Sequence, residues 1–366
     1  MKKTICLNMI VKNENKVIKR CLASVKPIIN YWVIVDTGST DGTQETIREF
    51  MQDIPGELHE YPWVDFAHNR NQALALSKNK GDYLLFIDAD EQLIFHEPFD
   101  SSSIHKDYYF FPVHQPSGIN YFRESLVQNH LDWIWEGPVH ETLKSSNAKT
   151  SALMHGVTNF SNTLEGFRSQ DPNKYLNDAA ILEKALEKEP DNSRYVFYLA
   201  LSYANAREYE KAQTWHEKRV SMEGSEQEIF YSLLSIAKIR DYLGADPDTI
   251  INSYTRAYLY RPSRAEPLYF LAHYYIRRGN FTLAYLISKK GNELKQTGDT
   301  VFVQHEIYDT GLLLQFADAS VAVGSYQETL TTYNKLLKKT TLSQEQRTNI
   351  EKNILTIQQA VQQQKK

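Results

Sequence analysis

The chain has 366 residues, a formal net charge of −4 and 42% hydrophobic residues, enough for two or more globular domains. Its slightly acidic balance disfavours a nucleic-acid binder, whose surface would be basic. The two cysteines, Cys6 and Cys21, are too few for a disulfide-stabilised scaffold and lie in apolar patterns that predict core positions. No apolar run approaches the roughly 20 residues of a membrane-spanning helix, and the N-terminus lacks a signal-peptide pattern, so we expect a cytoplasmic protein.

The first hundred residues alternate between apolar strand patterns and amphipathic helix patterns. Strands are predicted at residues 4–11, 31–35, 58–61 and 83–86, and helices around residues 17–25, 47–50 and 67–76. This alternation is typical of an α/β domain with a parallel sheet and right-handed crossovers. No Gly-x-Gly-x-x-Gly or Gly-Lys-Ser/Thr loop is present, which counts against a dinucleotide oxidoreductase and a P-loop phosphotransferase.

Acidic residues recur where successive strands end. Glu14 follows the first strand, Asp36 ends the second, and Asp88 and Asp90 follow the fourth. Ligands of open α/β sheets bind at this carboxyl edge. Carboxylate oxygens are the ligands that Mg²⁺ and Mn²⁺ prefer, and these ions often bridge to phosphates. The Asp88-Ala-Asp90 pair therefore predicts a metal–diphosphate site, the alternative being a solvated acidic loop.

Four segments of this half stand out: Asn13-Glu14, Val35 to Thr43, His68 to Ala73 and Ile87 to Glu91. In their order and spacing, over about residues 4–95, they resemble family 2 glycosyltransferases of the GT-A fold, which is Rossmann-like. The resemblance implies a nucleotide-sugar donor, most often a UDP-sugar, and a divalent metal ion, Mn²⁺ or Mg²⁺.

The resemblance also implies roles for single residues. Asp36 would contact the donor base, Glu14 would face the ribose, and Asp88 would face the ribose or the diphosphate. Asp90 would ligate the metal. Arg70 would contact the diphosphate, the alternative being a salt bridge on a helix surface.

Residues 133–143, Trp-Ile-Trp-Glu-Gly-Pro-Val-His-Glu-Thr-Leu, form the densest aromatic and ionisable cluster of the chain. They resemble the Trp-x-Gly-x-Val-His-Glu element of glycosyltransferases with helical repeats, including the sublancin-type peptide S-glycosyltransferases. Inverting transfer is a single displacement that needs one general base beside the acceptor. The candidates, in order of preference, are Glu141, His140 and Glu136.

Those relatives also carry a later histidine followed by glycine, which corresponds here to His155-Gly156. Val157 departs from the pattern, because an aromatic residue is usual at that position. A late histidine commonly completes the metal's ligand set in GT-A enzymes. The resemblance therefore implies that His155 is a third metal ligand, the alternative being a structural histidine.

Beyond Asp171-Pro172 the pattern changes to long amphipathic helices with an internal repeat. Leu199-Ala200 recurs 72 residues later as Leu271-Ala272, which fits two tetratricopeptide-like units of about 34–36 residues. We predict a GT-A domain at residues 1–168 and an all-α tetratricopeptide-like domain at residues 169–366. Repeat stacks commonly bind peptides or other subunits, so we expect acceptor recognition or homodimerisation. A buttress for the catalytic domain is the alternative.

The sequence thus predicts an inverting, metal-dependent glycosyltransferase. Its acceptor would be a peptide or protein side chain or a cell-surface glycan. The alternative is a catalytically inactive glycosyltransferase-like scaffold that binds partners through its helical repeats, which the intact Asp88/Asp90 pair and His140-Glu141 disfavour. A nucleotidyltransferase is a third possibility, but residues 8–15 lack the glycines of its usual loop.

Overall fold

The computed structural model describes residues 1–116, 120–162 and 165–364. The chain divides into two compact units, the first ending at Glu208 and the second beginning at Tyr209. Ile119, where the sequence pattern begins a further candidate strand, lies outside the described residues. Among the described helices, none combines the length and apolar character needed to cross a lipid bilayer.

The first unit contains the strands and five of the α-helices described. The strands are β1 (Ile5–Val11), β2 (Tyr31–Asp36), β3 (Gly56–Glu60), β4 (Tyr83–Phe86), β5 (Glu91–Phe95), β6 (Tyr108–His114), β7 (Asn120–Gln128), β8 (Ile134–Glu136), β9 (Thr142–Lys144), β10 (Ser151–Leu153) and β11 (Val157–Ser161). The helices are α1 (Ile18–Val25), α2 (Thr43–Phe50), α3 (Phe66–Leu76), α4 (Lys174–Lys188) and α5 (Ser193–Asn205).

Nine of the described strands form one mixed sheet in the order β3-β2-β1-β4-β7-β6-β11-β5, with β10 beside β6. The pairs β3-β2, β2-β1 and β1-β4 are parallel, which confirms the predicted α/β architecture. β7 then pairs antiparallel with both β4 and β6. The carboxyl ends of β1, β2 and β4 therefore lie at one edge of the sheet, beside an antiparallel extension.

Both faces of the parallel strands are buried because helices cover each of them. Successive side chains of a strand point to opposite faces. One face packs against α1 and α2 through Leu7, Met9, Ile34 and Leu85. The other packs against α3 and β8 through Cys6, Val33, Leu84 and Phe86. Cys6 and Cys21 are buried and free, as the sequence predicts.

The second unit is entirely helical in its described part. Its elements are α6 (Tyr209–Val220), α7 (Glu226–Tyr242), α8 (Pro247–Tyr260), α9 (Glu266–Arg277), α10 (Phe281–Asn292), a π-helical turn (Ile307–Gly311), α11 (Leu312–Ala322), α12 (Tyr326–Leu336) and α13 (Gln344–Gln364). Consecutive helices from α6 to α13 pack on one another. Ala200 in α5 and Ala272 in α9, the small residues of the 72-residue repeat, are fully buried.

The predicted domain boundary at residues 168/169 stays a prediction. Helical structure does replace strands after β11, beginning with a 3₁₀ turn at Phe167–Gln170. The first two long helices, α4 and α5, nevertheless belong to the same compact unit as the sheet. This grouping places helical residues within the unit that carries the predicted active-site acids.

We expect Gly56→Ala to destabilise the first unit. A Cβ atom at Gly56 would lie 2.2 Å from the nearest ring atoms of Trp32, whose indole N–H is held by a 2.8 Å hydrogen bond to the Ile54 carbonyl. Overpacking of this kind costs about 1–3 kcal/mol of unfolding free energy, measurable by urea denaturation. Gly298→Ala is the control, because no atom lies within 4 Å of its new Cβ. This variant should change the unfolding free energy by less than about 0.5 kcal/mol. Equal stabilities of the two variants would contradict this expectation.

Candidate active site

Two arginines hold the carboxylate of Asp88 where the chain leaves β4. Arg70 of α3 donates from Nη2 to Oδ1 at 2.7 Å, and Arg123 of β7 donates from Nη1 to Oδ2 at 3.0 Å. Burial alone would raise the pKa of Asp88, but the two guanidinium groups outweigh it and lower the pKa to about 2. Asp88 is therefore ionised at neutral pH, with both oxygens engaged by cations.

Arg70 also holds Glu141, the preferred base candidate. Its Nε donates to Oε1 of Glu141 at 2.6 Å, and its guanidinium carbon lies 5.0 Å from the ring centroid of Trp135. Both side chains of the ion pair are 11% exposed. Asp65 caps the start of α3 by accepting the N–H of His68 at 2.7 Å, which fixes the turn that presents Arg70. One guanidinium thus links the end of β4 to the turn after β8.

Glu91 stabilises the other side of this network from the start of β5. Its Oε2 accepts hydrogen bonds from Arg123 Nη2, from the backbone N–H of Asp88 at 3.1 Å, and from Asn159 Nδ2 at 2.8 Å. The side chain is 2% exposed. Three donors already engage this oxygen, so Glu91 serves to orient Arg123 and the Asp88 loop.

Asp90 and Glu14 carry the negative charge that this network leaves uncompensated. No salt bridge reaches the Asp90 carboxylate among the described residues. Loss of hydration and then the charges of Asp88 and Glu91 raise the pKa of Asp90 to about 7. Loss of hydration also raises the pKa of Glu14 to about 7. The hydrogen bond that Glu14 accepts from the N–H of Phe167 lowers this pKa, and the negative charges of nearby acids, Asp90 first, raise it further. Elevated pKa values in adjacent acids indicate a pocket that favours a cation.

Asp36 lies at the end of β2 and is fully buried. Its Oδ1 accepts the backbone N–H groups of Gly38 at 2.9 Å and Ser39 at 2.7 Å. Its Oδ2 is buried without a hydrogen-bond partner within the described part of the chain. The loops after β1 and β2 are joined through a 2.8 Å bond from Asn13 N–H to Ser39 Oγ, which brings the Glu14 loop beside Asp36. Asp36 therefore keeps one acceptor for a ligand's N–H or O–H group.

The other two base candidates are placed differently from Glu141. His140 is exposed as a residue, but loss of hydration around its ring and the positive charges of Arg168, Arg194 and Lys174 lower its pKa to about 3. At neutral pH the imidazole is neutral and only weakly basic. Glu136 is exposed on β8, where it accepts a 2.6 Å bond from Lys144. Of the three, Glu141 is the one in contact with the Arg70–Asp88 network.

His155 is not brought to Asp90. It is exposed in the connection between β10 and β11. β11 runs antiparallel to β5, so that Val157 pairs with Phe95 and Ser161 pairs with Glu91. His155 precedes Val157 and thus lies beyond the end of β5 that is remote from Glu91.

The acidic pocket fits a metal ion that draws part of its coordination from a substrate. Within residues 1–116, 120–162 and 165–364, no three His, Cys, Asp or Glu side chains converge as a preformed metal cage. Mg²⁺ usually binds one or two carboxylates together with substrate phosphates and water. Asp90 meets that requirement because its carboxylate forms no salt bridge with the part of the chain that the structure describes, and because burial and then neighbouring negative charges raise its pKa.

Sequence reasoning missed Arg123, Glu91 and Gly166. Arg123 reaches Asp88 only because β7 pairs antiparallel with β4, and no local pattern signals that pairing. Glu91 directly follows the Asp88-Ala-Asp90 motif, and this adjacency is the sequence signal that could have identified it as part of the site. Gly166 passes so close to Asp90 that a Cβ atom would lie 2.7 Å from Oδ2. A residue beyond the sheet therefore lies against the carboxylate of Asp90.

Residues 6–96 match the family model for Glycosyl transferase family 2, so the N-terminal segment carries a domain of this family and the predicted resemblance is confirmed. The chain is similar to the SPbeta prophage-derived glycosyltransferase SunS of Bacillus subtilis, with 26% identity over 209 residues, covering 53% of this chain and 48% of SunS. A tetratricopeptide repeat-containing protein of Synechococcus elongatus is 41% identical over 91 residues, 25% of this chain and 21% of that protein. The chain thus spans about half or less of the length of these relatives.

Two solved structures of repeat proteins are also similar to the chain. The C-terminal part of a tetratricopeptide repeat-containing protein from Cytophaga hutchinsonii has a TM-score of 0.38 at 18% identity, covering 46% of this chain and 61% of that one. The crystal structure of MamA has a TM-score of 0.36 at 15% identity, and the match covers 47% of this chain and 93% of MamA. At these scores neither likeness informs the function.

We expect Asp90→Asn to stabilise the metal-free protein at about pH 8 and to do so less at about pH 5. The pKa of Asp90 is raised from 3.8 to about 7, so the folded state binds this proton more tightly than the unfolded state does. Stability therefore falls as the pH rises through this window, and the amide removes the cost. Thermal unfolding with a chelator measures the difference.

Asp191→Asn, in an exposed turn, is the control and should show no such pH-dependent gain. A Tm for Asp90→Asn equal to or below that of wild type at the higher pH would contradict the expectation.

Proposed function

We propose that this chain is an inverting, metal-dependent glycosyltransferase that moves a sugar from a nucleotide-sugar donor to a peptide or protein side chain. The observation that supports it most is the junction of Asp88, Arg70 and Glu141 at the carboxyl edge of the sheet. Asp90, close enough to Asp88 to feel its charge, forms no salt bridge with the described residues. This junction lies where a nucleotide-binding sheet receives its ligand. The family 2 match of residues 6–96 supports the same chemistry.

The donor's nucleoside would be held by the loops after β1 and β2. Asp36 offers one buried oxygen, Oδ2, to an N–H of the base. Uracil presents such an N–H beside its carbonyl groups, whereas the corresponding ring nitrogen of cytosine is an acceptor, so a UDP-sugar fits better than a CDP-sugar. Glu14, on the joined loop, would accept a ribose hydroxyl.

The diphosphate would lie between Asp90 and Arg70. Asp90 would hold Mn²⁺ or Mg²⁺, which supplies Lewis-acid stabilisation of the charge on the leaving nucleoside diphosphate. Arg70 donates from Nε and Nη2 to Glu141 and Asp88, and its Nη1 makes no hydrogen bond to described residues. That nitrogen is the one available to a phosphate oxygen. Asp88 then acts mainly by fixing Arg70.

Glu141 would serve as the general base. Its Oε1 is fixed by Arg70, which leaves Oε2 to receive a proton. The acceptor's oxygen or sulfur forms a bond to the anomeric carbon while the bond from that carbon to the diphosphate oxygen breaks. The acceptor's proton passes to Glu141, and the nucleoside diphosphate leaves with the bonding electron pair on the opposite face. One displacement inverts the anomeric configuration.

The acceptor class is proposed from the segment around Glu141. Trp135-Glu-Gly-Pro-Val-His-Glu141 resembles the element of peptide S-glycosyltransferases, which favours a Cys, Ser or Thr side chain as nucleophile. The similarity to SunS, which is named a glycosyltransferase, supports this assignment over a scaffold without activity.

We expect Mn²⁺ and a UDP-sugar together to raise the Tm of wild-type protein and to support slow donor hydrolysis. Asp90→Ala should abolish the metal-dependent part of both effects, because the free carboxylate at the diphosphate site is removed. Differential scanning fluorimetry and chromatography of released UDP are the measurements. Asp132→Asn changes an exposed acid bonded to Ser145 and Ser146 and should behave as wild type. Equal hydrolysis by wild type and Asp90→Ala would favour the inactive scaffold.

We expect Glu141→Gln to lower kcat for sugar transfer about 10²–10⁴-fold while changing the donor KM little, since general-base catalysis supplies a factor of that size. Mass spectrometry of glycosylated peptides gives the rate, and NMR of the product gives the anomeric configuration, which should be inverted. Glu136→Gln, which alters the exposed partner of Lys144, should retain activity. The assignment is refuted if Glu136→Gln loses activity and Glu141→Gln keeps it.

A further inference from the structure

The turn that carries Glu141 has an unusual backbone. Residues 137–141, here called the base turn, connect β8 to β9 in a two-stranded hairpin. His140 has a φ of +53°, in the left-handed region that side chains other than glycine seldom occupy. Such a conformation persists only where neighbouring groups enforce it, and it is found disproportionately at functional sites.

The groups that enforce it come from α5. Arg194 donates from Nη2 to the carbonyl oxygen of His140 at 3.1 Å. The ring of Tyr198, one helical turn further on, stacks on the His140 ring with 4.1 Å between centroids and 13° between planes. The Arg194 guanidinium lies 4.7 Å from the Tyr198 ring centroid. α5 therefore holds both the backbone and the side chain of the residue before Glu141.

The start of the base turn also lies against α5. Gly137 has a φ of +105°, and a Cβ atom there would be 3.7 Å from the Tyr195 ring. Asn192 caps α5 by accepting the N–H of Tyr195 at 3.2 Å, which fixes the first turn of the helix. The base turn is thus supported by α5 through His140 and by α3 through the bond between Arg70 and Glu141.

We propose that Arg194 and Tyr198 are positioning residues for Glu141, so that the helix α5 is a working part of the active site. The proposal rests on the proposed function, because Glu141 is taken as the base. The sequence suggests acceptor recognition, dimerisation or a buttress as the role of the helical domain. The role proposed here for α5 is a different one, because it acts on the active site directly. A displacement of the base by about 1 Å lowers turnover on the order of 10²-fold, so loss of these contacts should lower kcat.

The first test measures the base turn without any substrate. Tyr198→Leu removes the stacked ring, whereas Tyr198→Phe keeps it. Tyr203→Leu, on the same helix, removes a ring whose hydroxyl bonds Glu183 of α4 at 2.6 Å, and serves as the matched control for helix stability. Hydrogen–deuterium exchange of the hairpin that carries the base turn, residues 134–144, should accelerate at least about tenfold in Tyr198→Leu, and remain near wild type in the other two.

The second test measures turnover. We expect Tyr198→Leu to lower kcat about 10–100-fold with the KM for the donor within about threefold of wild type, because the donor site lies on other loops. Tyr198→Phe should restore kcat. Arg194→Met, which loses the bond to the His140 carbonyl, should resemble Tyr198→Leu. A purely structural role would instead lower kcat in Tyr203→Leu and Tyr198→Leu in proportion to their losses of Tm.

The outcomes separate this proposal from the proposed function. Unchanged exchange of the base turn in Tyr198→Leu overturns the positioning role, whatever the activity. Faster exchange with an unaltered kcat overturns it as well. A wild-type protein that transfers no sugar overturns the proposed function, and the exchange data then decide the anchoring of the base turn alone.

Discussion

The candidate site depends on one guanidinium shared by two carboxylates. Arg70 is 11% exposed, and it bonds Glu141 at 2.6 Å and Asp88 at 2.7 Å. A cation in so little water must be paired, and removal of either partner would leave charge without compensation. The sequence positions that meet here lie on α3, after β4 and after β8. The parallel sheet, the cap of α3 and the β8-β9 hairpin all have to form before this junction exists.

The charge around the junction is unbalanced in a way that stability alone does not explain. Asp88, Glu91 and Glu141 share the two cations Arg70 and Arg123, whereas Asp90 and Glu14 form no salt bridge with the described residues. The pKa values of Asp90 and Glu14 rise to about 7. Burying these carboxylates in their ionised form lowers the stability of the protein when no ligand is bound. A ligand that brings positive charge and phosphate oxygens would relieve that cost. Local violation of the rule that buried charges are paired is typical of functional sites.

Topology made part of this site predictable. Asp36, Asp88 and Asp90 stand at strand ends, and parallel strands present their carboxyl ends at one edge, so the pattern predicts that they lie at the same edge of the sheet. Arg123 and Tyr198 have no such local signal, since they reach the site through an antiparallel pairing and through helix packing. A sequence motif alone predicts His155 as a metal ligand. The antiparallel register of β11 on β5 places it at the end of β5 remote from Glu91, which a motif does not encode.

The point in the sequence where strands give way to helices differs from the point where the first compact unit ends. Composition changes near residue 168, where strands give way to helices, but the compact unit continues to Glu208 and includes α4 and α5. The contacts of Arg194 and Tyr198 give a physical reason, because they join α5 to the turn before Glu141, where His140 has a left-handed backbone. A fragment that ends at residue 168 would retain Asp88 and Asp90 but would lack α5, the helix that contacts the base turn. The compact unit that contains Glu141 therefore extends past residue 168 and includes the segment where the helical repeat begins.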